Sequence, residues 1–311
     1  MGLTVQSTSA KASRRFQFGD SEILIALAGN PNVGKSTVFN ELTGMNQHTG
    51  NWPGKTVALA KGIARHQETD YTLVDLPGTY SLIANSAEEA IASEFICFQK
   101  PAVTIVVCDA TALQRNLNLV LQILQMTANV VVCVNLMDEA RKKKIEIDLE
   151  KLSELLQVPV VAASARSHQG LDALMDAVAQ LCEHPRTQIA CLDYPFVIQN
   201  ELDRLRGQLR MLDPAYDIPW IALQILNNPD STLKSLYAST ALNQADIETL
   251  HSLALRSRKV LDQTYKNDNW PDLLIQCPVQ QAQQLAEQTV TMNEAEAMKR
   301  DRQIDRILFS R

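Results

Sequence analysis

The run Gly29-Asn30-Pro31-Asn32-Val33-Gly34-Lys35-Ser36 leaves this chain few folds to choose from. It joins an apolar stretch of strand character, Ile23–Ala28, to a helical pattern, Lys35–Leu42, and a G-x-x-x-x-G-K-S turn in that setting is the phosphate cradle of P-loop proteins. Backbone N–H groups around Val33 to Ser36 converge there on the α- and β-phosphates of a nucleotide, at the positive end of the helix. Lys35 reaches the β- and γ-oxygens, the Ser36 hydroxyl ligates Mg²⁺, and the glycines admit close approach of backbone to phosphate.

A turn of this kind sits at the edge of a mostly parallel sheet, and the sequence supplies the strands. Ile23–Ala28, Val57–Ile63, Tyr71–Asp75, Val103–Asp109, Val130–Asn135 and Val158–Ala163 read as strands. They alternate with helical patterns over Lys35–Leu42, Ala87–Phe98, Leu113–Met126, Asp148–Leu156 and Leu171–Leu181. The alternation predicts an α/β domain with helices on both faces and ligands at the carboxyl ends of the strands. With 311 residues there is room for a second folded unit. After His184-Pro185 the strand signal nearly disappears, and Ile198, Leu202, Leu205 and Leu209, then Ile247, Leu250 and Ala254, fall at helical spacing. The expected division is a disordered leader over 1–21, a P-loop GTPase domain over 22–184, a small all-α domain over 185–266, and a polar, Gln-rich, partly helical tail over 267–311.

Two further motifs stand at strand ends. Asp75-Leu76-Pro77-Gly78 closes the strand Tyr71–Asp75, where the Asp75 carboxylate can hold the Mg²⁺ shell and the Gly78 N–H can sense a γ-phosphate. Asn135-Leu136-Met137-Asp138 closes Val130–Asn135, where the Asp138 carboxylate can accept from both the ring N–H and the exocyclic amine of guanine. Adenine lacks that amine and would leave the carboxylate unpaired, so the pattern predicts GTP and GDP rather than ATP. Ser164-Ala165, ending the last strand, is expected to turn backbone N–H groups toward the guanine carbonyl. Gly50-Asn51-Trp52-Pro53-Gly54-Lys55-Thr56 reads as a loop whose Thr56 closes on Mg²⁺ and γ-phosphate and is released on hydrolysis. Trp52 is either a docking aromatic or loop packing; His48 reads as a solvated loop residue, and Arg141-Lys142-Lys143-Lys144 as a solvated helix start.

Composition narrows the partners. A net charge of −6 argues against a nucleic-acid footprint. The six cysteines form no C-x-x-C pair and read as buried small hydrophobes in a reducing compartment. No apolar run approaches the roughly 20 residues of a spanning helix.

In this order the motifs resemble the cytoplasmic G domain of the FeoB family of bacterial ferrous-iron transporters. The likeness is carried by Gly29 to Ser36 with the following Thr37, by Gly50 to Gly54, by Asp75-Leu76-Pro77-Gly78-Thr79-Tyr80-Ser81-Leu82 and by Asn135 to Asp138. It covers about 23–182 with specific motifs, and the helical stretch 186–266 by position and pattern alone. The resemblance implies a Ras-like sheet carrying a GTPase that regulates or drives Fe²⁺ uptake at the cytoplasmic face of the bacterial inner membrane. It assigns Lys35 and Ser36 to phosphate and Mg²⁺, Thr56 to the switch, Asp75 and Gly78 to the Mg²⁺ and γ-phosphate side, and Asn135 and Asp138 to guanine. It further implies a transmembrane iron-permease portion beyond this chain, a helical domain that modulates nucleotide release, and room for small cytosolic regulators and self-association. Two departures from Ras-like proteins stand out. Thr79 replaces a water-orienting glutamine, which predicts slow hydrolysis, and Leu136 replaces the lysine that covers the base, which predicts fast exchange. The resemblance extends to K⁺-activated GTPases, in which Asn32 would offer a side-chain oxygen to K⁺ beside the phosphates; the alternative is that Asn32 caps the turn. A soluble ribosome-assembly or tRNA-linked GTPase is the competing functional reading.

Overall fold

The computed structural model describes residues 22–45, 47–51, 58–83, 86–266 and 269–292. Its centre is a seven-stranded sheet in the order β2-β3-β4-β1-β5-β6-β8. The strands are β1 (Ile23–Gly29), β2 (Gln47–Asn51), β3 (Ala58–His66), β4 (Thr69–Asp75), β5 (Val103–Asp109), β6 (Val130–Asn135) and, after β7 (Ile145–Ile147) outside the sheet, β8 (Val160–Ala162). From β4 through β8 all neighbours are parallel, whereas β2-β3 and β3-β4 are antiparallel. His48, Gly50 and Asn51, expected in a loop, therefore lie in an edge strand paired with β3. No alternation of apolar and polar residues marks Gln-His-Thr-Gly-Asn, so the pairing is set by the neighbour.

Strand periodicity builds two apolar layers, because successive side chains point to opposite faces. Ile25 and Leu27 with Ile105, Val107 and Cys133 face α1 (Lys35–Thr43) and, through Leu174, Met175 and Val178, helix α6 (Leu171–Glu183). Leu24, Ala26 and Ala28 with Val106, Cys108 and Val132 face α2 (Ala87–Glu94), α3 (Leu113–Leu124) and α5 (Leu149–Leu156). Between them α4 (Met137–Lys142) opens right after the Asn135 strand end. Arg141 and Lys142 close α4 rather than open a helix, which suits cations to the negative helix end.

Beyond 184 come α7 (Phe196–Leu212), α8 (Pro219–Asn227), α9 (Pro229–Ser239), α10 (Gln244–Thr264) and α11 (Trp270–Thr289). Their buried Leu205, Trp220, Leu223, Leu250 and Leu274 continue the α3-side core without a break. The stretch expected as a tail holds α11, whose buried face is Trp270, Leu274, Cys277, Ala282 and Ala286, packed on α3 and α5. Beyond Leu274 its stripe consists of Cys277, Pro278, Ala282, Ala286 and Thr289 among glutamines, and so reads as polar by composition. β9 (Val290–Met292) then pairs antiparallel with β7, a strand where none was expected. Cys191, read as buried, is exposed.

Candidate functional site

β1, β4 and β6 end at the same side of the sheet, and the three motifs meet there. Gly29 has no room for a side chain: a Cβ would lie 2.7 Å from the Val107 carbonyl on β5. Gly34, at φ +80°, is the N-cap of α1, and a Cβ on it would come 2.5 Å from Asn135 Nδ2. No side chain caps α1 and no acid stands in its first turn, so its positive end and terminal N–H groups face the Pro31–Val33 turn. That is the donor set an anion takes. Asn32 is exposed at φ 67°, and among the described residues no hydrogen bond holds its side chain, so a capping role for it has no partner here. Ser36 is exposed, Thr37 half-buried, and Asn30 buried with neither end of its amide paired among the described residues.

The lysine is engaged within the protein. Lys35 Nζ donates to Asp75 Oδ1 and, at 2.6 Å, to the Leu76 carbonyl. Burial pushes the Asp75 carboxyl above its ordinary range, and the Lys35 ammonium pulls it partly back. Phosphate oxygens would have to displace Lys35 from these partners. Gly78 lies against the turn, since a Cβ on it would sit 3.4 Å from the Pro31 backbone. Thr79 faces inward: it is 6% exposed, its N–H donates to Gly29 O at 3.3 Å, and its hydroxyl lies between the Ser81 carbonyl and Glu89 Oε1. Glu89 in turn completes a capping box with Ser86 at the start of α2. Thr56 and Trp52 lie outside the described residues.

On the base side, Asn135 is 1% exposed. Its Nδ2 donates to Val33 O and its Oδ1 accepts from Ala165 N–H, both at 3.0 Å, so it braces the phosphate turn against the 164–165 loop. Leu136, at φ 62°, turns the chain into α4. The Asp138 carboxylate is 47% exposed, with Lys142 Nζ 3.9 Å away, while its own N–H donates to Ser164 Oγ at 3.2 Å. The Ser164 N–H donates to Gln169 O at 3.0 Å and the Ala165 N–H to Asn135, so both amides serve the loop itself. Sequence reading missed this bracing because a motif gives residue types, not which partner each polar atom takes. It also missed Gln122, although a glutamine inside the apolar run of α3 was a visible signal.

Asn135→Ala should therefore strip partners from two backbone groups, the Val33 carbonyl and the Ala165 N–H. At about 1–3 kcal/mol for each buried group left unpaired, urea denaturation without nucleotide should show a clearly lower midpoint. A midpoint equal to that of the parent protein would show the brace to be dispensable.

The family model described as Ferrous iron transport protein B matches residues 23–178. The Fe(2+) transporter FeoB of Salmonella typhimurium is 35% identical over 229 residues, which is 72% of this chain and 29% of that protein. The chain thus spans less than a third of the length of the curated relatives it matches. Among solved structures, a mutant NFeoB from S. thermophilus bound to GDP superposes with a TM-score of 0.73 at 26% identity, over 86% of this chain and 99% of that one. The cytosolic domain of L. pneumophila FeoB gives a TM-score of 0.72 at 30% identity, over the same shares.

Proposed function

The chain belongs to the ferrous iron transport protein B family, and from that premise we propose that it is the guanine-nucleotide-binding, GTP-hydrolysing module of a ferrous-iron transporter. One observation carries this reading: an uncapped helix start, Lys35, Asp75 and an accessible Asp138 carboxylate are held together at one end of the sheet. GDP in the similar S. thermophilus structure supports it. Gly29 to Thr37 would take the phosphates, and Asp138 the base, with Asn135 and Ala165 behind it. The exposed Ser36 hydroxyl and the Asp75 carboxylate are hard oxygen donors that suit Mg²⁺, which would neutralise charge on the β- and γ-phosphates. Thr56 is the proposed switch threonine, and the Asn32 carboxamide a donor for K⁺. Thr79, turned inward on Ser81 and Glu89, cannot orient water, which fits slow hydrolysis.

In the same reading, 22–184 is the nucleotide domain, 185–266 biases nucleotide release, and 267–311 leads toward the transmembrane permease portion of a longer protein. Among the described residues no helix is long and apolar enough to cross a membrane. The module would work at the cytoplasmic face, with Fe²⁺ as cargo of the permease portion. No nucleic acid enters the reading, and small regulators or a second copy remain compatible with it.

Calorimetric titration tests the core of the proposal. GDP and a non-hydrolysable GTP analogue should bind at least roughly a hundredfold more tightly than their adenine counterparts, and GTP should release phosphate slowly. Equal affinity for guanine and adenine nucleotides would overturn it.

A further inference from the structure

Helix α3 runs beneath the segment that follows Gly78, and two polar residues interrupt its apolar face there. Gln122 is 1% exposed, among Leu117, Leu119, Val120, Leu121, Ile123 and Leu124. A buried primary amide is costly unless its donor and acceptor are met, and here Leu82 and Ser81 meet the acceptor while Asn118 meets the donor. Gln122 Oε1 accepts from the Leu82 N–H at 2.6 Å and from the Ser81 hydroxyl at 3.2 Å. Its Nε2 donates to Asn118 Oδ1 at 3.2 Å, one turn earlier, and Asn118 Nδ2 reaches the Tyr80 carbonyl at 3.4 Å. The two amides thus form a ladder holding residues 80, 81 and 82. The opposite side of the same residue is held by the helical region, since Gln224 Nε2 on α8 donates to the Leu82 carbonyl at 3.4 Å. A second tie runs from Ser235 on α9 to Glu94 on α2 at 2.8 Å.

We propose that Gln122 is a positioning residue that decides how readily the segment after Gly78 answers a γ-phosphate, and that Gln224 is the residue through which the helical region sets the same balance. The inference rests on the nucleotide reading above and deepens it. In this structure the Leu76 carbonyl holds Lys35; either nucleotide draws Lys35 to its β-phosphate and frees that carbonyl, but only a triphosphate also engages the Gly78 N–H and pulls on the segment there. Leu82 lies only four positions beyond Gly78, and the intervening chain is stiffened by the Thr79 N–H on Gly29 O and the Thr79 hydroxyl on Ser81. A shift at Gly78 is therefore carried to the Leu82 peptide, where it works against the buried Gln122 acceptor. GDP, with no γ-phosphate, asks for no such shift from Gly78. Gln122 thus opposes the triphosphate state more than the diphosphate state, and Gln224 adds to or relieves that opposition according to where α8 sits.

The test uses the full chain and the variants Gln122→Met, which keeps the length of the side chain and removes its polar atoms, and Gln224→Met. Two measurements separate the grip from its consequence. In nucleotide-free protein, amide exchange at Leu82 should quicken roughly tenfold or more in Gln122→Met. In calorimetric titrations, the affinity ratio of GTP analogue to GDP should move toward the triphosphate by roughly five- to tenfold in Gln122→Met, and in the same direction in Gln224→Met, with GDP affinity within about twofold of the parent. The double variant should shift less than the product of the two single shifts, because both act on one peptide. Faster exchange with an unchanged ratio, or a ratio moved toward GDP, overturns the positioning role while parental binding still upholds the nucleotide reading. Unchanged exchange at Leu82 overturns the grip itself. A parent chain that binds no guanine nucleotide removes the reading on which the inference rests, and the inference with it.

Discussion

Asp138→Asn is expected to turn a site that selects GTP into one that prefers XTP. The carboxylate stands in the first turn of α4, 47% exposed. Its placement is fixed from behind, because its own N–H is held by Ser164 Oγ and the Met137 N–H by Ala163 O at 3.2 Å. The backbone frame does not depend on the carboxylate, so the amide should occupy the same place. Guanine offers that place two donors, and xanthine a donor and a carbonyl; the asparagine amide matches the second pattern and clashes with the first. A site built to pair with a particular polar group discriminates by about 10⁴-fold or more against a ligand lacking it. The cost to folding is small by comparison: loss of an acid near the start of α4 is worth about 0.3–1 kcal/mol, and the pairing with exposed Lys142, 3.9 Å away, is screened by solvent. Calorimetric titration of both proteins with GTP and XTP, alongside thermal melts, reads the two effects separately. A GTP-to-XTP ratio that stays where it was in the parent protein would remove Asp138 from base recognition.

The sheet was largely legible because its strands combine apolar content with motif punctuation: Val103–Asp109 and Val130–Asn135 run over the residues expected of them. Ala87–Phe98 was expected as one helix and is instead an α-helix to Glu94 that widens into a π-helical turn over Phe95–Gln99. The widened turn buries Phe95, Ile96 and Cys97 in the core, and no local propensity marks it. β2, α4 and the β7-β9 pair escaped notice because each is short; β2 pairs with the next strand without an apolar alternation of its own, whereas α4 and β7 are held by partners far along the chain. The site was legible in its residue types and illegible in its pairings. Lys35 and Asp75 could each be named from a motif, yet their bond to one another joins positions forty residues apart and follows from strand order alone. The same holds for Asn135, whose neighbours Val33 and Ala165 come from two other strand ends. A helix-like apolar stripe made of Leu and Ile announced α7 and α10, whereas α11, with Ala282 and Ala286 in that role, passed for a polar tail.

The second large effect expected is a rise in kcat of at least several-fold when KCl replaces NaCl at equal ionic strength, abolished by removing the Asn32 carboxamide. Phosphoryl transfer depends on neutralising charge that builds between the β- and γ-phosphates. The phosphate turn contains no arginine, and Thr79, where a glutamine could have served, is 6% exposed and bonded inward. Lys35 is the cation at hand, and Asp75 and Leu76 O compete for it. Asn32 is differently placed: exposed, in the left-handed region at φ 67°, with no hydrogen bond to its side chain among the described residues. A carboxamide oxygen left over at the lip of the phosphate turn is the donor type that suits a monovalent cation, and a set of such neutral oxygens distinguishes K⁺ from Na⁺ by ligand number and geometry. The choice of substitution matters. Alanine at a positive φ strains the turn by about 1–2 kcal/mol, so a fall in rate with Asn32→Ala could come from backbone as well as from the lost oxygen. Glycine adopts the same backbone without that strain, and Asn32→Gly therefore removes only the carboxamide. Both variants should lose the K⁺ response, while GDP titrations in either salt should show binding within roughly a few-fold of the parent for Asn32→Gly, because the backbone N–H donors of the turn are untouched. Equal rates for the parent protein in the two salts would show that no K⁺-selective site assists hydrolysis. A K⁺ response that survives in Asn32→Gly would place the selective oxygens elsewhere in the chain and leave Asn32 with no part in it.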